Sequence, residues 1–212
     1  MTTITHRRRA RRGDGRLLRE EIIAAAERLL IDRGSEEAVS IRAIADAVGV
    51  TPPSIYLHFA DKEELFVAVC DARFEQLSRL SAEAAADATD PVDEIRRRGQ
   101  AYVQFGLDNP EQYRILFMSP FVNPESQAVS AEEIAKWACL GDMIDAVRRA
   151  MEHGDIDAED PFLVTAGLWA QVHGLVSLLI TKPGLPWPPI DALIDHVLTT
   201  SFLGLAPRAP AS

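Results

Sequence analysis

Ser40-Ile-Arg-Ala-Ile-Ala-Asp-Ala-Val-Gly-Val-Thr-Pro-Pro-Ser-Ile-Tyr-Leu-His-Phe59 reads as two short helices on either side of a glycine turn, and Asp61-Lys-Glu-Glu64-Leu follows at once. Ile41, Ile44, Ala45 and Val48 recur at i, i+3, i+4 and i+7, which gives one apolar stripe, and Ser40 stands where a cap accepts from the first free amides. Gly49 stops that helix by taking the left-handed conformation at no steric cost, and Val50 packs back on the last turn. The second helix opens at Thr51 or at Pro52: a proline suits a first helical position, yet Pro53 disfavours helical geometry in the residue before it. If Thr51 is the cap, its hydroxyl can reach only the amide of Ser54. Ile55 and Phe59, four apart, form the inward face and leave Ser54, Tyr56 and His58 directed elsewhere. This pattern is a helix-turn-helix, whose second helix is shaped to enter the major groove of DNA.

Residues 16 to 66 resemble the DNA-binding domain of the TetR family of bacterial one-component regulators. In that family a Thr/Ser-capped recognition helix ends Tyr-x-His-Phe and leads into a Lys-Glu-x-Leu helix start; here those residues are Thr51, Tyr56, His58, Phe59, Lys62, Glu63 and Leu65. The Pro52-Pro53 pair departs from the small residues that usually follow the cap. The resemblance implies that Arg42, Thr51, Pro52, Pro53, Ser54, Tyr56, His58 and Lys62 meet DNA. Tyr56 can pack its ring while its phenol bonds a phosphate, and His58 needs only a ring N–H. Lys62 opposes the helix dipole in a first turn, a cost that a phosphate would offset. Asp61 and Glu64 read as a structural capping box.

The chain has 212 residues, 47% hydrophobic content and a formal charge of -10, enough to bury a sizeable core. That acidity is segregated. Seven arginines, among them Arg7, Arg8 and Arg9, face one acid, Asp14, in the first nineteen residues, and the remainder carries a net charge of -16. A basic end attracts phosphates while an acidic body is held away from them. Residues 1–15 are expected to form a disordered basic arm that tethers DNA, 16–66 the DNA-binding domain, 67–205 a helical ligand-binding and dimerisation domain, and 206–212 a disordered tail.

Every other periodic segment reads as helix, so the fold class is all-α: a three-helix helix-turn-helix domain followed by a helical bundle. Leu18, Ile22, Ala25 or Ala26, and Leu29 make the buried face of a first helix ending near Gly34. A fourth helix runs from Asp61 toward Ala86 and links head to body. Further helices are expected from Val92 to Asp108, from an Asn109 cap through Phe117, from Ser126 to His153, from Asp160 to Thr181 and from Ile190 to Leu203.

The body resembles a TetR subgroup with a Trp-His-Gly signature, here Trp169, His173 and Gly174, preceded by Asn109-Pro110-Glu111 with Tyr113, Arg114, Leu116 and Phe117. The resemblance implies a homodimer joined through the last two helices. Leu168, Leu175, Leu178, Leu179, Leu193, Val197 and Leu198 offer the apolar surface for it. Two heads on a two-fold axis would grip half-sites about 34 Å apart on a pseudo-palindromic operator. Tyr102, Phe105, Phe117, Phe121, Trp137, Trp169 and His173 are the candidates for a small-molecule effector site. Most bulky residues of this kind fill core volume; a pocket among them would take an apolar or aromatic compound, with His173 or Gln171 as its polar anchor. Otherwise His173 is a satisfied core histidine, and Gly174 permits close helix approach.

Enzymatic signatures such as Gly-x-Ser-x-Gly, a phosphate loop or His-Glu-x-x-His do not occur, and neither a metal nor a cofactor is expected. Cys70 and Cys139 lack Cys-x-x-Cys spacing and read as reduced core residues, leaving a thiol sensor as a minor alternative. No signal-peptide core follows the basic start, and the apolar run at Leu175 to Ile180 is short for a membrane span, so a cytoplasmic protein is expected. The combined expectation is a ligand-responsive transcriptional regulator: a repressor that acts by occupancy, or an activator of the same fold.

Overall fold

A computed structural model describes residues 14–118, 138–158, 160–203 and 205. Among them every regular element is a helix: α1 (Asp14–Arg33), α2 (Ile41–Val48), α3 (Pro52–Tyr56), α4 (Lys62–Ala85), α5 (Pro91–Asp108), α6 (Pro110–Met118), α7 (Ala138–His153), α8 (Pro161–Thr181) and α9 (Ile190–Leu203). The basic arm, the tail, Phe121, Trp137 and the expected helix portion from Ser126 to Trp137 lie outside the described residues.

The described part of the chain forms two compact units, one of residues 14–73 with 114–118, the other of 74–113 with 138–205. In the first, α1 packs on α2 and α2 on α3. Ile22, Ala25, Ala26, Ile44, Ala45, Ile55, Phe59 and Leu65 are fully or almost fully buried in its core. Each large aliphatic side chain enclosed in this way contributes roughly 1.5–3 kcal/mol. The stripe read on α1 is shifted at its end, since Leu30 is buried while Leu29 is only partly covered. Glu27 is buried as well, and its Oε1 lies 3.1 Å from Arg73 Nε, an ion pair that ties α1 to α4. Burial raises the Glu27 pKa even though Arg73 and Arg28 pull it down.

In the second unit α5 is central, packing on α7, α8 and α9. Close approach is permitted by Gly99 and Gly106. A Cβ on Gly99 would meet Leu198 Cδ2 at 2.9 Å, and one on Gly106 would overlap the Val176 Cγ1 methyl and reach the Tyr113 ring at 3.0 Å. Gly174 makes no such approach within the chain: a Cβ there has nothing within 4 Å. Arg98, on the same helix as Gly99, is buried and donates through Nε and Nη2 to Glu94 Oε1 at 3.0 and 2.9 Å. Arg149 bonds the other oxygen of Glu94. Burial opposes ionisation of Glu94, but these two guanidinium groups outweigh it and hold its pKa below the usual range.

Two expectations need correction. Asn109 does precede α6, but its side-chain amide donates to the Phe105 carbonyl at 2.9 Å and so closes α5. And α8, with 21 residues and a mean hydropathy of 1.7 over its most apolar window, is long and apolar enough to cross a bilayer. The uninterrupted run around Leu175 understates it because Trp169, Gln171 and His173 break the run without breaking the helix. Val164, Leu168, Val172, Leu175, Val176 and Leu179 of α8 are buried within the unit.

Candidate nucleic-acid interface and effector site

Ser40 caps α2 through its hydroxyl, which accepts from Ala43 N at 3.2 Å. Gly49 takes φ +77° and closes the helix: its N–H reaches the Asp46 carbonyl, and the Val50 N–H reaches that of Ala45 at 3.0 Å. That paired closure is the Schellman arrangement, which fixes where the next helix begins. Thr51 is extended at φ -87° and ψ 150°, so it, and not Pro52, holds the cap position. Its hydroxyl does not cap the helix. It lies 3.1 Å from Ser54 Oγ, while Ser54 N donates to the Thr51 carbonyl at 2.9 Å. The proline pair leaves Ser54 N as the one nearby amide the hydroxyl could serve, and that amide is taken by the Thr51 carbonyl.

Around α3 the inward residues are Ile55 and Phe59, both buried, and the outward ones are Thr51, Pro53, Tyr56 and Leu57. Tyr56 is 53% exposed, with its phenol available to a phosphate. Pro52, Ser54 and His58 are half-buried, and Arg42, at the start of α2, is exposed. Arg16 and Arg19 of α1 are exposed too, and the Arg19 guanidinium stands 4.9 Å above the Phe59 ring. Arg7, Arg8 and Arg9 lie outside the described residues.

Lys62 differs from the sequence picture. Its ammonium donates to the carbonyls of Glu36 at 2.8 Å and Val39 at 3.2 Å, and the Glu36 carboxylate is 3.8 Å away. The penalty of a cation in a first turn is therefore offset inside the chain, by the segment leading into α2. Asp61 and Glu64 act as a cap at that end: Glu64 N donates to Asp61 Oδ1, and Ala60 N, one residue before the position a capping box uses, donates to Glu64.

Among the candidate effector residues, Tyr102, Trp169 and His173 come together, and they bring Tyr113, which the aromatic pattern did not single out. Trp169 Nε1 donates to Tyr102 Oη at 3.1 Å, and the Tyr102 and Tyr113 hydroxyls are 3.2 Å apart. Tyr113 Oη lies 2.7 Å from His173 Nδ1, with Tyr102 Oη at 3.1 Å from the same nitrogen. Tyr113 Oη also donates to the His173 carbonyl at 3.3 Å. Burial holds His173 below the ordinary histidine pKa, raises Tyr113 to about 12 and raises Tyr102 far above the phenol range, so the whole network is neutral. The result is a satisfied histidine on a half-buried ring. Phe105 is 2% exposed and serves as core, and Phe117 is half-buried. A cleft of about 380 Å³ lies elsewhere in this unit, along Ala84, Asp93, Arg96, Arg97, Gln100 and Gln104, and none of the expected effector residues lines it.

The proposed dimer surface divides. Leu168, Leu175, Leu179 and Leu198 are buried within the unit, 5–9% exposed. Leu178 is 48% exposed, and Leu193 and Val197 are half-buried. An all-round apolar helix does not reveal by periodicity which of its faces is inward. Burial holds both thiols high, Cys70 and Cys139 each at about 11. No group of His, Cys, Asp and Glu among the described residues is arranged to hold a metal.

A reading head of this geometry on a helical body is the architecture of a one-component DNA-binding regulator. The chain matches the family of bacterial regulatory proteins of the tetR type over residues 22–69, and the tetracyclin repressor-like C-terminal domain over residues 95–201. It belongs to the TetR family of DNA-binding transcriptional regulators and is not an enzyme. The HTH-type transcriptional activator FasR of Mycolicibacterium smegmatis is 30% identical over 164 residues, 76% of this chain and 72% of that protein. The HTH-type transcriptional repressor AcnR of Corynebacterium efficiens is 28% identical over 86% of this chain and 91% of its own length. A solved structure of a protein of unknown function from Rhodococcus sp. RHA1 shares the fold at a TM-score of 0.74 and 24% identity, over 90% of this chain and 96% of that one.

Proposed function

We propose that the chain is a homodimeric repressor of the cytoplasm that occupies a pseudo-palindromic operator and is released by a small, largely apolar effector. The observation that carries this reading is the outward face of α8. Leu163 is 70% exposed, Leu178 is 48% exposed, and Gly167, Ala170 and Gly174 lie between them on the same face of a helix whose other side is buried in its unit. A face so apolar and so free of bulk suits the helix of a second copy, and a second copy supplies the second reading head that a two-half-site operator requires. Arg42, Thr51, Pro52, Pro53, Ser54, Tyr56 and His58 make the protein side of the interface in this reading, with Arg7, Arg8 and Arg9 tethering the duplex. Lys62 then acts by fixing the start of α4 more than by direct contact.

The effector would lodge beside Tyr102, Trp169 and His173, with His173 or Gln171 as its polar anchor. Helix α4 contributes residues to both units and is the element through which occupancy of one would move the other. A ligand needs a differential affinity of only about 1–3 kcal/mol between the two states to loosen DNA measurably. Activation is the second reading, favoured by the likeness to FasR. Thiol sensing has less support, because pKa values near 11 leave little thiolate at neutral pH.

Footprinting of the DNA flanking the chain's own gene, followed by transcription from that template in vitro, tests the proposal. A repressor protects two half-sites one helical turn apart and lowers the transcript in proportion to occupancy. A transcript that rises with occupancy selects the activator, and no protected site at low salt removes both.

A further inference from the structure

The recognition helix has little with which to hydrogen-bond a base. Pro52 and Pro53 lack N–H groups, and the hydroxyls of Thr51 and Ser54 are 3.1 Å apart, so that one donates to the other. Residues 51–58 contain no Asn, Gln, Arg or Lys, the side chains that read purine edges bidentately. What the outward face carries is apolar. Leu57 keeps helical geometry at φ -75° and ψ -15°, so Pro53, Tyr56 and Leu57 stand at i, i+3 and i+4 on one face, all exposed. At 84%, Leu57 is the most exposed large hydrophobic among the described residues.

A single exposed leucine is ordinary. This one shares its face with a proline and a tyrosine, on the element that the family's function turns toward DNA, and exposed Arg16, Arg19 and Arg42 in the same unit supply charge complementary to phosphates. The major groove displays one apolar group, the C5-methyl of thymine. We propose that Pro53 and Leu57 read the operator through thymine methyl groups, so that each half-site holds a thymine whose methyl packs on Leu57. This rests on the regulator reading and specifies how that regulator selects its sequence. Tyr56, its phenol on the backbone, positions the face without selecting a base.

The test begins with duplexes enriched from a random pool by the full-length chain. The enriched site is then synthesised with deoxyuridine replacing each thymine in turn, which removes the methyl and nothing else, and affinity is read by fluorescence anisotropy at one fixed salt concentration. Loss of one buried methyl is expected to weaken binding about fourfold at the thymine facing Leu57. Leu57→Ala, a change to a side chain that packs against little, is expected to bind the thymine and uracil sites alike, near the affinity of the unaltered chain for the uracil site. If every thymine tolerates uracil without loss, or if Leu57→Ala discriminates as strongly as the unaltered chain, the methyl readout is overturned while the regulator stands. If the chain enriches no sequence at all, the regulator reading itself is overturned.

Discussion

At Gly106 a single methyl decides whether α5 can lie against α8. Its Cβ would occupy the space of the Val176 methyl and press on the Tyr113 ring, and neither neighbour can swing clear because both are fully buried. Gly106→Ala is therefore expected to cost about 1–3 kcal/mol, the range for overpacking a filled core, read as a lower urea midpoint with unchanged slope. His173 makes a prediction of the opposite kind, in which a charge and not a volume is the intruder. Burial holds its folded pKa below the unfolded value near 6.5, so the unfolded chain binds the proton more readily. The neutral ring's contribution is thus fully present above about pH 6.5 and is lost as pH falls through that value toward the lowered folded pKa. Urea unfolding at pH 7.5 and 5.5 should show a loss on acidification that is smaller in His173→Gln, whose side chain does not titrate. Equal losses in both proteins would mean that the Tyr102–Tyr113–His173 network does not resist the proton.

Between elements, the ion pair of buried Glu27 with half-buried Arg73 ties α1 to α4. Burial alone would expel the Glu27 charge, and Arg73 makes the site tolerable without making it favourable. Arg73→Met should cost about 2–3 kcal/mol, because it leaves a carboxylate enclosed without its cation. The double change Glu27→Leu with Arg73→Met should recover most of that loss, both read by urea unfolding. Neither residue could be singled out from the sequence, where Glu27 and Arg73 are two charges among many, 46 positions apart. The helices themselves were legible. Ser40, Gly49, the proline at each of four helix starts and the spacing of Ile41, Ile44, Ala45 and Val48 are local signals, and local geometry obeys them. What pattern cannot supply is the identity of the neighbour. Gly106 and Gly174 look alike in the chain, yet one faces a packed helix and the other open space. The aromatic spacing finds Tyr102, Trp169 and His173 but passes over Tyr113, since only the fold brings its hydroxyl onto the imidazole. Lys62 looks in the sequence like a cation waiting for a phosphate, because its two carbonyl acceptors come from residues more than twenty positions earlier.

For the molecule as a whole, the proposed homodimer turns on α8, a largely apolar helix of which its own unit covers only part. Leu168, Leu175 and Leu179 are buried, so the proposed interface would be built from Leu163, Leu178 and the low-bulk strip of Gly167, Ala170 and Gly174, with half-buried Leu193 and Val197 of α9 as further candidates. A helix that presents glycine and alanine in this way lets another backbone come near, and the flanking leucines then bury against the partner at roughly 25 cal/mol per Å². Leu178→Arg places a charge in that contact without disturbing the protomer core, because nearly half of the side chain is already exposed. The expected outcome is a folded monomer, seen as a lower sedimentation coefficient with an unaltered helical circular-dichroism spectrum. Affinity for a two-half-site operator should then fall by on the order of a hundredfold, since the second head no longer binds as a tethered partner of the first. Retained dimerisation with retained operator affinity would move the interface off this face. Dimerisation lost with affinity intact would instead mean that one head suffices, and the two-fold operator would have to be abandoned.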